Sequence, residues 1–265
     1  MSRYVYEEFS SHEARRVRAM ERLWDPGTRL LLDRVGVQPG SAVAEVGAGG
    51  GSIARELAAR VGREGAVDAY DLDPDGIQRD EAQIVRPVGF DVRSDSLPAE
   101  QYDLVHARLL IEHVGLGAVS RLVPGLRPGG MLLLEDLDCG SRGWYPDDPV
   151  GFDVGEALLD LMSHRGYDRF CGRKLPAAVA EAGLVDVQAD GRVRIVRSGT
   201  EDYDFFYLSL QAVREPLLAM GAVTQRELDG YLTRMSEPGR VSLSAIMVAC
   251  WGRKPHATEP EVQVA

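Results

Sequence analysis

Between Ser41 and about Asp138 the chain reads as short apolar runs, bounded by Gly, Pro and Asp, that alternate with longer amphipathic stretches. The short runs suit strands buried on both faces and the longer stretches suit helices with one buried stripe, so the segment predicts consecutive strand–helix units on a parallel sheet. The predicted strands are Ala42–Val46, Ala66–Leu72, Ile84–Phe90, Tyr102–His106 and Met131–Leu137. The predicted helices are Gly51–Val61 and Val114–Leu126, the second stopped by Arg127-Pro-Gly-Gly130. Upstream, Leu23, Leu30, Leu31 and Val35 share one helical face, which predicts one or two helices over Ser10–Val35. Downstream, Asp147–Ala182 reads as largely helical, Val185–Val196 as strand, Glu201–Met235 as helical again and Val241–Gly252 as a final apolar strand. The organisation expected is N-terminal helices over residues 1–37, a main domain over 38–255 with a helical insertion at about 200–236, and a flexible polar tail over 256–265.

Composition narrows the function classes. At 265 residues and 45% hydrophobic content the chain can bury a sizeable core. Its formal net charge of -11 gives no long-range attraction for DNA, RNA or anionic lipid. Cys139, Cys171 and Cys250 are odd in number and widely spaced, which argues against a disulfide framework and a structural zinc site. The first ten residues hold no apolar stretch of signal-peptide kind, and no run approaches the roughly 20 residues of a membrane span. A soluble, cytoplasmic protein is expected.

The densest chemical signal is Val43-Ala-Glu45-Val-Gly47-Ala-Gly49-Gly-Gly51, lying between an apolar strand and the helix-forming Ser52-Ile-Ala-Arg-Glu-Leu-Ala. Glycines at such a junction allow a sharp turn and let a ligand approach main-chain amides. A phosphate-binding P-loop would need Gly-Lys-Ser/Thr, and Gly51-Ser52-Ile53 has no lysine. A dinucleotide site would need G-x-G-x-x-G, and the third position after Gly47 and Gly49 is Ser52. Glu45 weakens that reading further, because a carboxylate beside a pyrophosphate adds repulsion on the order of a kcal/mol. A sulfonium cofactor reverses the sign. S-adenosylmethionine carries a positive sulfur and an α-amino group and has no phosphate, so an acid before the glycines becomes favourable.

With this E-x-G-x-G-x-G pattern the sequence resembles the class I, Rossmann-like S-adenosylmethionine-dependent methyltransferases, in particular the actinobacterial type that modifies small molecules. The resemblance runs from about Trp24 to Lys254. It implies a seven-stranded, mostly parallel α/β sheet with helices on both faces, an antiparallel last strand near Val241–Gly252, and added helices forming a lid. Further motifs follow in order: Val67-Asp-Ala-Tyr-Asp71-Leu72-Asp73-Pro, Val88-Gly-Phe-Asp91-Val92 with Ser96-Leu-Pro98, Tyr102-Asp-Leu-Val-His106-Ala107-Arg108, and Arg127-Pro-Gly-Gly-Met-Leu-Leu-Leu-Glu135-Asp136. By resemblance, Glu45 with Gly47, Ala48 and Gly49 meets the amino-acid end of the cofactor. Asp71 chelates the ribose hydroxyls beside Leu72, Asp91 with Val92 meets the adenine, and Ala107 and Arg108 flank the methionine end. Asp95 is the alternative to Asp91, and Asp73 suits a helix cap. The stretch Asp75–Gln83 departs from the family pattern.

Methyl transfer from a sulfonium is an in-line displacement at an activated carbon, so proximity and alignment matter most and a fixed catalytic motif is not expected. His113, following the fourth strand, is the candidate general base, against a bland role in shaping the pocket. His106 reads as a strand residue, and Glu112 pairs with Arg108 at helical spacing. Glu135 and Asp136 end the fifth strand, where one of them would face the cleft. His12, His164 and the aromatics Tyr4, Tyr6, Trp144, Tyr167, Phe205, Phe206 and Tyr207 could line an acceptor site or belong to the core. No metal site is expected. The function expected is methylation of a small, secondary-metabolite acceptor at O, N or C, with S-adenosylhomocysteine as product. The alternatives are a non-methylating cyclisation or rearrangement that uses the same cofactor, and a dinucleotide-dependent oxidoreductase. Homodimerisation is left open.

Overall fold

A computed structural model describes residues 10–256, with side chains from Glu13 onward. The expectations for Tyr4, Tyr6, the His12 side chain and the tail beyond His256 concern positions outside those residues. The described chain divides into two compact units. The larger comprises Asp25–Asp138, Phe170–Arg192 and the described residues from Met247; the smaller comprises the described residues up to Trp24, Cys139–Arg169 and Val193–Ile246.

The larger unit is built on a seven-stranded sheet. Helix α1 (Ser10–Val35) leads into β1 (Ala42–Val46), α2 (Ser52–Val61), β2 (Ala66–Asp71), β3 (Val85–Gly89) and β4 (Tyr102–Arg108). After β4 come the single turns α3 (Ile111–Val114) and α4 (Val119–Leu122), then β5 (Leu126–Asp138). The strands β1, β2, β3, β4 and β5 pair in parallel. Parallel pairing leaves both faces of a strand in need of cover, which is why Ala-Val-Ala-Glu-Val reads as an almost unbroken buried run. On one face Ala44, Val46, Val105 and Leu132 pack with Leu175 and Val179. On the other Val43, Val67, Leu104 and Leu133 pack with Leu31 and Leu32 of α1 and with Ile53 and Leu57 of α2.

The smaller unit contains β6 (Gly143–Tyr145) and α5 (Pro149–Ser163), after which the chain returns to the sheet unit as α6 (Cys171–Glu181) and β7 (Val185–Arg192). It then re-enters the smaller unit as β8 (Ile195–Arg197), α7 (Asp204–Ala212), α8 (Arg214–Ala219), α9 (Gln225–Met235) and β9 (Val241–Leu243), and closes the large sheet with β10 (Ile246–Arg253). The sheet orders are β3-β2-β1-β4-β5-β10-β7 and β6-β9-β8. The last strand β10 runs antiparallel to β7, so the expected mostly parallel seven-stranded architecture is present.

Three expectations fail in detail. In place of the single helix expected over Val114–Leu126, α3 ends at Val114 and three short consecutive turns run from Leu116 to Gly125, because Gly115 takes φ 88° and Pro124 cannot donate an amide to continue a helix. The strand expected over Val241–Gly252 is two, β9 in the small sheet and β10 in the large one; likewise Val185–Val196 divides into β7 and β8. Alternation of apolar residues is the same in either sheet, so periodicity cannot mark the crossing. The two crossings are tied to each other, with the Arg194 amide donating to Ser244 Oγ at 2.9 Å and the Ser244 amide to the Arg194 carbonyl at 2.9 Å.

Candidate cofactor site

The strand order reverses beside β1, which has β2 on one side and β4 on the other, and open parallel sheets place ligands in the crevice outside the strand ends at such a point. The glycine turn leaves β1 there. Gly47, Gly49 and Gly51 all take positive φ, at 74°, 52° and 79°. The amides of Gly47 and Ala48 both donate to the Tyr70 carbonyl, at 2.8 and 3.1 Å, which pins the start of the turn to the end of β2. Gly51, the residue before α2, is closely enclosed: a Cβ there would lie 3.0 Å from the Gln78 carbonyl oxygen and 3.0 Å from Ile77 Cγ2. A Cβ on Gly49 would meet nothing within 4 Å. The turn is therefore built against protein at Gly51 and open at Gly49.

Asp71 closes the far side of the turn. Its Oδ2 accepts the Gly49 amide at 2.8 Å and its Oδ1 accepts the Asp73 amide at 3.1 Å. Next to it Leu72 is 62% exposed, an apolar side chain standing open where a flat heterocycle could cover it. Asp73 makes no helix-capping hydrogen bond, and Pro74–Gly76 forms only one tight turn. Asp91, after β3, is held by Arg93 through Nε and Nη2, both at 2.8 Å, and the guanidinium holds this carboxyl below its usual range. The Asp91 amide donates to Asp95 Oδ2 at 2.8 Å. Val92 is a buried member of the core.

At the end of β4, Ala107 is buried and Arg108 donates from Nη1 to Thr28 Oγ1 at 2.9 Å and from Nη2 to Asp25 Oδ1 at 2.7 Å. Arg108 does not make the pairing with Glu112 expected from helical spacing, because it ends a strand and the helix begins only at Ile111. Glu112 instead accepts the Leu137 amide on Oε2 at 3.0 Å. His113 lies on α3 with its side chain 22% exposed and Nε2 3.7 Å from Glu112 Oε1. Asp136 receives the Glu112 amide at 3.1 Å. Its burial, opposed by amides of the α3 start and reinforced by the charge of Glu135, pushes its carboxyl up to about 8.

Sequence reasoning missed one constellation. Glu45 is buried, and its Oε2 lies 2.5 Å from Nδ1 of the fully buried His106, whose Nε2 is 3.1 Å from Glu135 Oε1. The other oxygen of Glu135 accepts from Arg192 of β7. The only sequence signal was a histidine in the middle of an apolar strand; its partners depend on the register that sets Glu45 opposite His106. In the smaller unit Trp144 Nε1 donates to the Tyr231 hydroxyl at 2.9 Å, Tyr167 is buried, and Phe205 and Phe206 stack edge to face at 5.2 Å. His164 is exposed, with Nδ1 donating to the Asp160 carbonyl at 2.7 Å.

A family model for the methyltransferase domain matches residues 15–189. The chain belongs to that family. A ubiquinone/menaquinone biosynthesis C-methyltransferase of Laribacter hongkongensis is 30% identical over 151 residues, 54% of this chain and 59% of the relative, so little more than half of that protein is spanned. A phosphoethanolamine N-methyltransferase 2 of Haemonchus contortus, solved with phosphomonomethylethanolamine and S-adenosylhomocysteine, superposes with a TM-score of 0.58 at 14% identity, covering 96% of this chain and 61% of that one. The YcgJ protein of Bacillus subtilis superposes with a TM-score of 0.54 at 15% identity, covering 86% and 97%. At such identities the structures establish the fold. Class I methyltransferases use S-adenosylmethionine, and the open face at Gly49, the carboxylate of Asp71 and the exposed Leu72 fit a phosphate-free nucleoside.

Proposed function

We propose that this methyltransferase moves the methyl group of S-adenosylmethionine to an O, N or C atom of a small secondary-metabolite acceptor. The observation that carries the reading is the Gly49 amide held on Asp71 beside an open turn, since a carboxylate at the end of β2 can take two ribose hydroxyls as readily as loop amides. In this reading the Gly47–Ala48–Gly49 backbone borders the methionine portion, Leu72 lies against the adenine, and Asp91 turns from Arg93 toward the adenine amino group. Arg108 acts by fastening Asp25 and Thr28 to the strand end. The net charge of -11 favours a small acceptor over a polyanion.

The sulfonium supplies an already activated methyl carbon. What remains for the chain is alignment and, for an acceptor that must shed a proton, a base; His113 takes that part, being partly exposed on the turn that follows β4. The test incubates the protein with S-adenosylmethionine and a panel of small metabolites and weighs the products. A product heavier by one methylene unit supports the reading. Turnover that yields an isomer of the acceptor instead shows a non-methylating reaction and contradicts it.

A further inference from the structure

The charged residues at the strand ends do not stand alone. Glu45 lies on β1 two residues before Gly47, His106 lies opposite it on β4, and Glu135 on β5 completes a row buried on the face that α1 and α2 cover. Both ring nitrogens of His106 face carboxylate oxygens, at 2.5 and 3.1 Å. A neutral imidazole has one N–H, so either tautomer would set a nitrogen lone pair against a carboxylate; only the imidazolium donates at both positions.

The charges agree with the geometry. Asp25 on α1, Glu45 on β1 and Glu135 on β5 are three carboxylates, and Arg108 on β4 and Arg192 on β7 are two guanidiniums. The proton on His106 brings these six groups to neutrality, which buried charges require. Burial works against the charged ring, but the carboxylates of Glu45 and Glu135 outweigh it and push His106 up to about 9. The same pairing, with Arg192, draws Glu135 down to about 2 against its own burial. Asp25 also accepts from the hydroxyl of Ser52 at 3.3 Å, the first residue after the glycine turn. The cluster thus grips the turn on both sides, through Glu45 before it and Ser52 after it.

We infer that His106 is a positioning residue whose doubly hydrogen-bonded ring, held between Glu45 and Glu135, fixes the glycine turn in the shape that binds the cofactor. The inference rests on the proposed cofactor site and adds a requirement to it. Protonated, His106 ties β1, β4 and β5 together at their ends; deprotonated, it leaves a buried carboxylate against a lone pair, and the turn loosens.

The test uses the full chain, wild type and His106→Gln, with S-adenosylhomocysteine titrated calorimetrically at pH 7 and pH 9.5, well below the melting temperature. In parallel, nitrogen-15 spectra of the wild-type histidines are recorded at pH 7. We expect one histidine with imidazolium nitrogen shifts and two N–H protons that exchange slowly. We expect affinity about ten-fold weaker in H106Q at pH 7, and a wild-type affinity that falls toward that of the variant at pH 9.5. The ligand's own amine titrates in both proteins, so the comparison cancels it. A role confined to stability would lower the melting temperature and leave affinity unchanged at both pH values, which overturns the inference. Should H106Q not fold, neutral-imidazole shifts for every wild-type histidine at pH 7 overturn it alone. Failure of the wild type itself to bind S-adenosylhomocysteine is a different result and strikes the cofactor site.

Discussion

Alanine at Gly51 and alanine at Gly49 separate folding from binding within one five-residue turn. At Gly51 the backbone sits at φ 79° and ψ 18°, a left-handed conformation that costs a side-chain-bearing residue about 1–2 kcal/mol. The added methyl would also lie 3.0 Å from both the Gln78 carbonyl oxygen and Ile77 Cγ2. Gln78 cannot simply retreat, because its amide donates to the Gly50 carbonyl at 3.3 Å, and crowding of this kind costs roughly 1–3 kcal/mol. Gly51→Ala is therefore expected to lose roughly 2–5 kcal/mol, and its apparent melting temperature to fall by roughly 5–15 °C. At Gly49, φ is 52° and a methyl meets nothing within 4 Å, so only the left-handed cost of about 1–2 kcal/mol applies. Its methyl would occupy the open side of the turn, and affinity for S-adenosylhomocysteine is expected to fall at least about ten-fold, the equivalent of about 1.4 kcal/mol. Calorimetric unfolding and ligand titration on both variants check this. Equal destabilisation by the two substitutions, or wild-type affinity in G49A, refutes the assignment of the open face.

Two further outcomes follow from the same geometry. Arg93→Ala removes the cation that holds Asp91; because an exposed pair is worth about 0.2–1 kcal/mol, the variant is expected to bind S-adenosylhomocysteine up to about five-fold tighter, and weaker binding would show that Arg93 itself contacts the ligand. With a methylated acceptor in hand, His113→Ala is expected to lower kcat by about 100-fold at unchanged S-adenosylhomocysteine affinity; a loss of a few-fold, flat with pH, would assign His113 to shaping the pocket.

How much was legible depended on whether the cause was local. The five parallel strands were, since Gly, Pro and Asp bound runs such as Ala42–Val46 that must be buried on both faces. So were the glycine turn and Asp71, whose spacing follows from the length of one strand–helix–strand unit. The helix over Val114–Leu126 was misjudged because Val119 and Leu122 keep a helical period that Gly115 and Pro124 interrupt. The division of Val241–Gly252 between two sheets leaves no trace in apolar alternation. His106 looked like one more strand residue, and its meaning lies in Glu45 and Glu135, 61 and 29 positions away in the chain, brought together only by strand register. Arg108 was matched to a sequence neighbour, although its partners Asp25 and Thr28 come from α1.

The central claim is that the turn from Gly47 to Gly51, closed by Asp71, holds S-adenosylmethionine. Titration of S-adenosylhomocysteine into wild type and Asp71→Ala tests it most directly. Wild type is expected to bind at one site, and the variant to bind roughly 10–100-fold more weakly, the loss of one or two charge-assisted hydrogen bonds at about 1.5–3 kcal/mol. Absence of heat in the wild type, or equal affinity in the two proteins, would contradict the account.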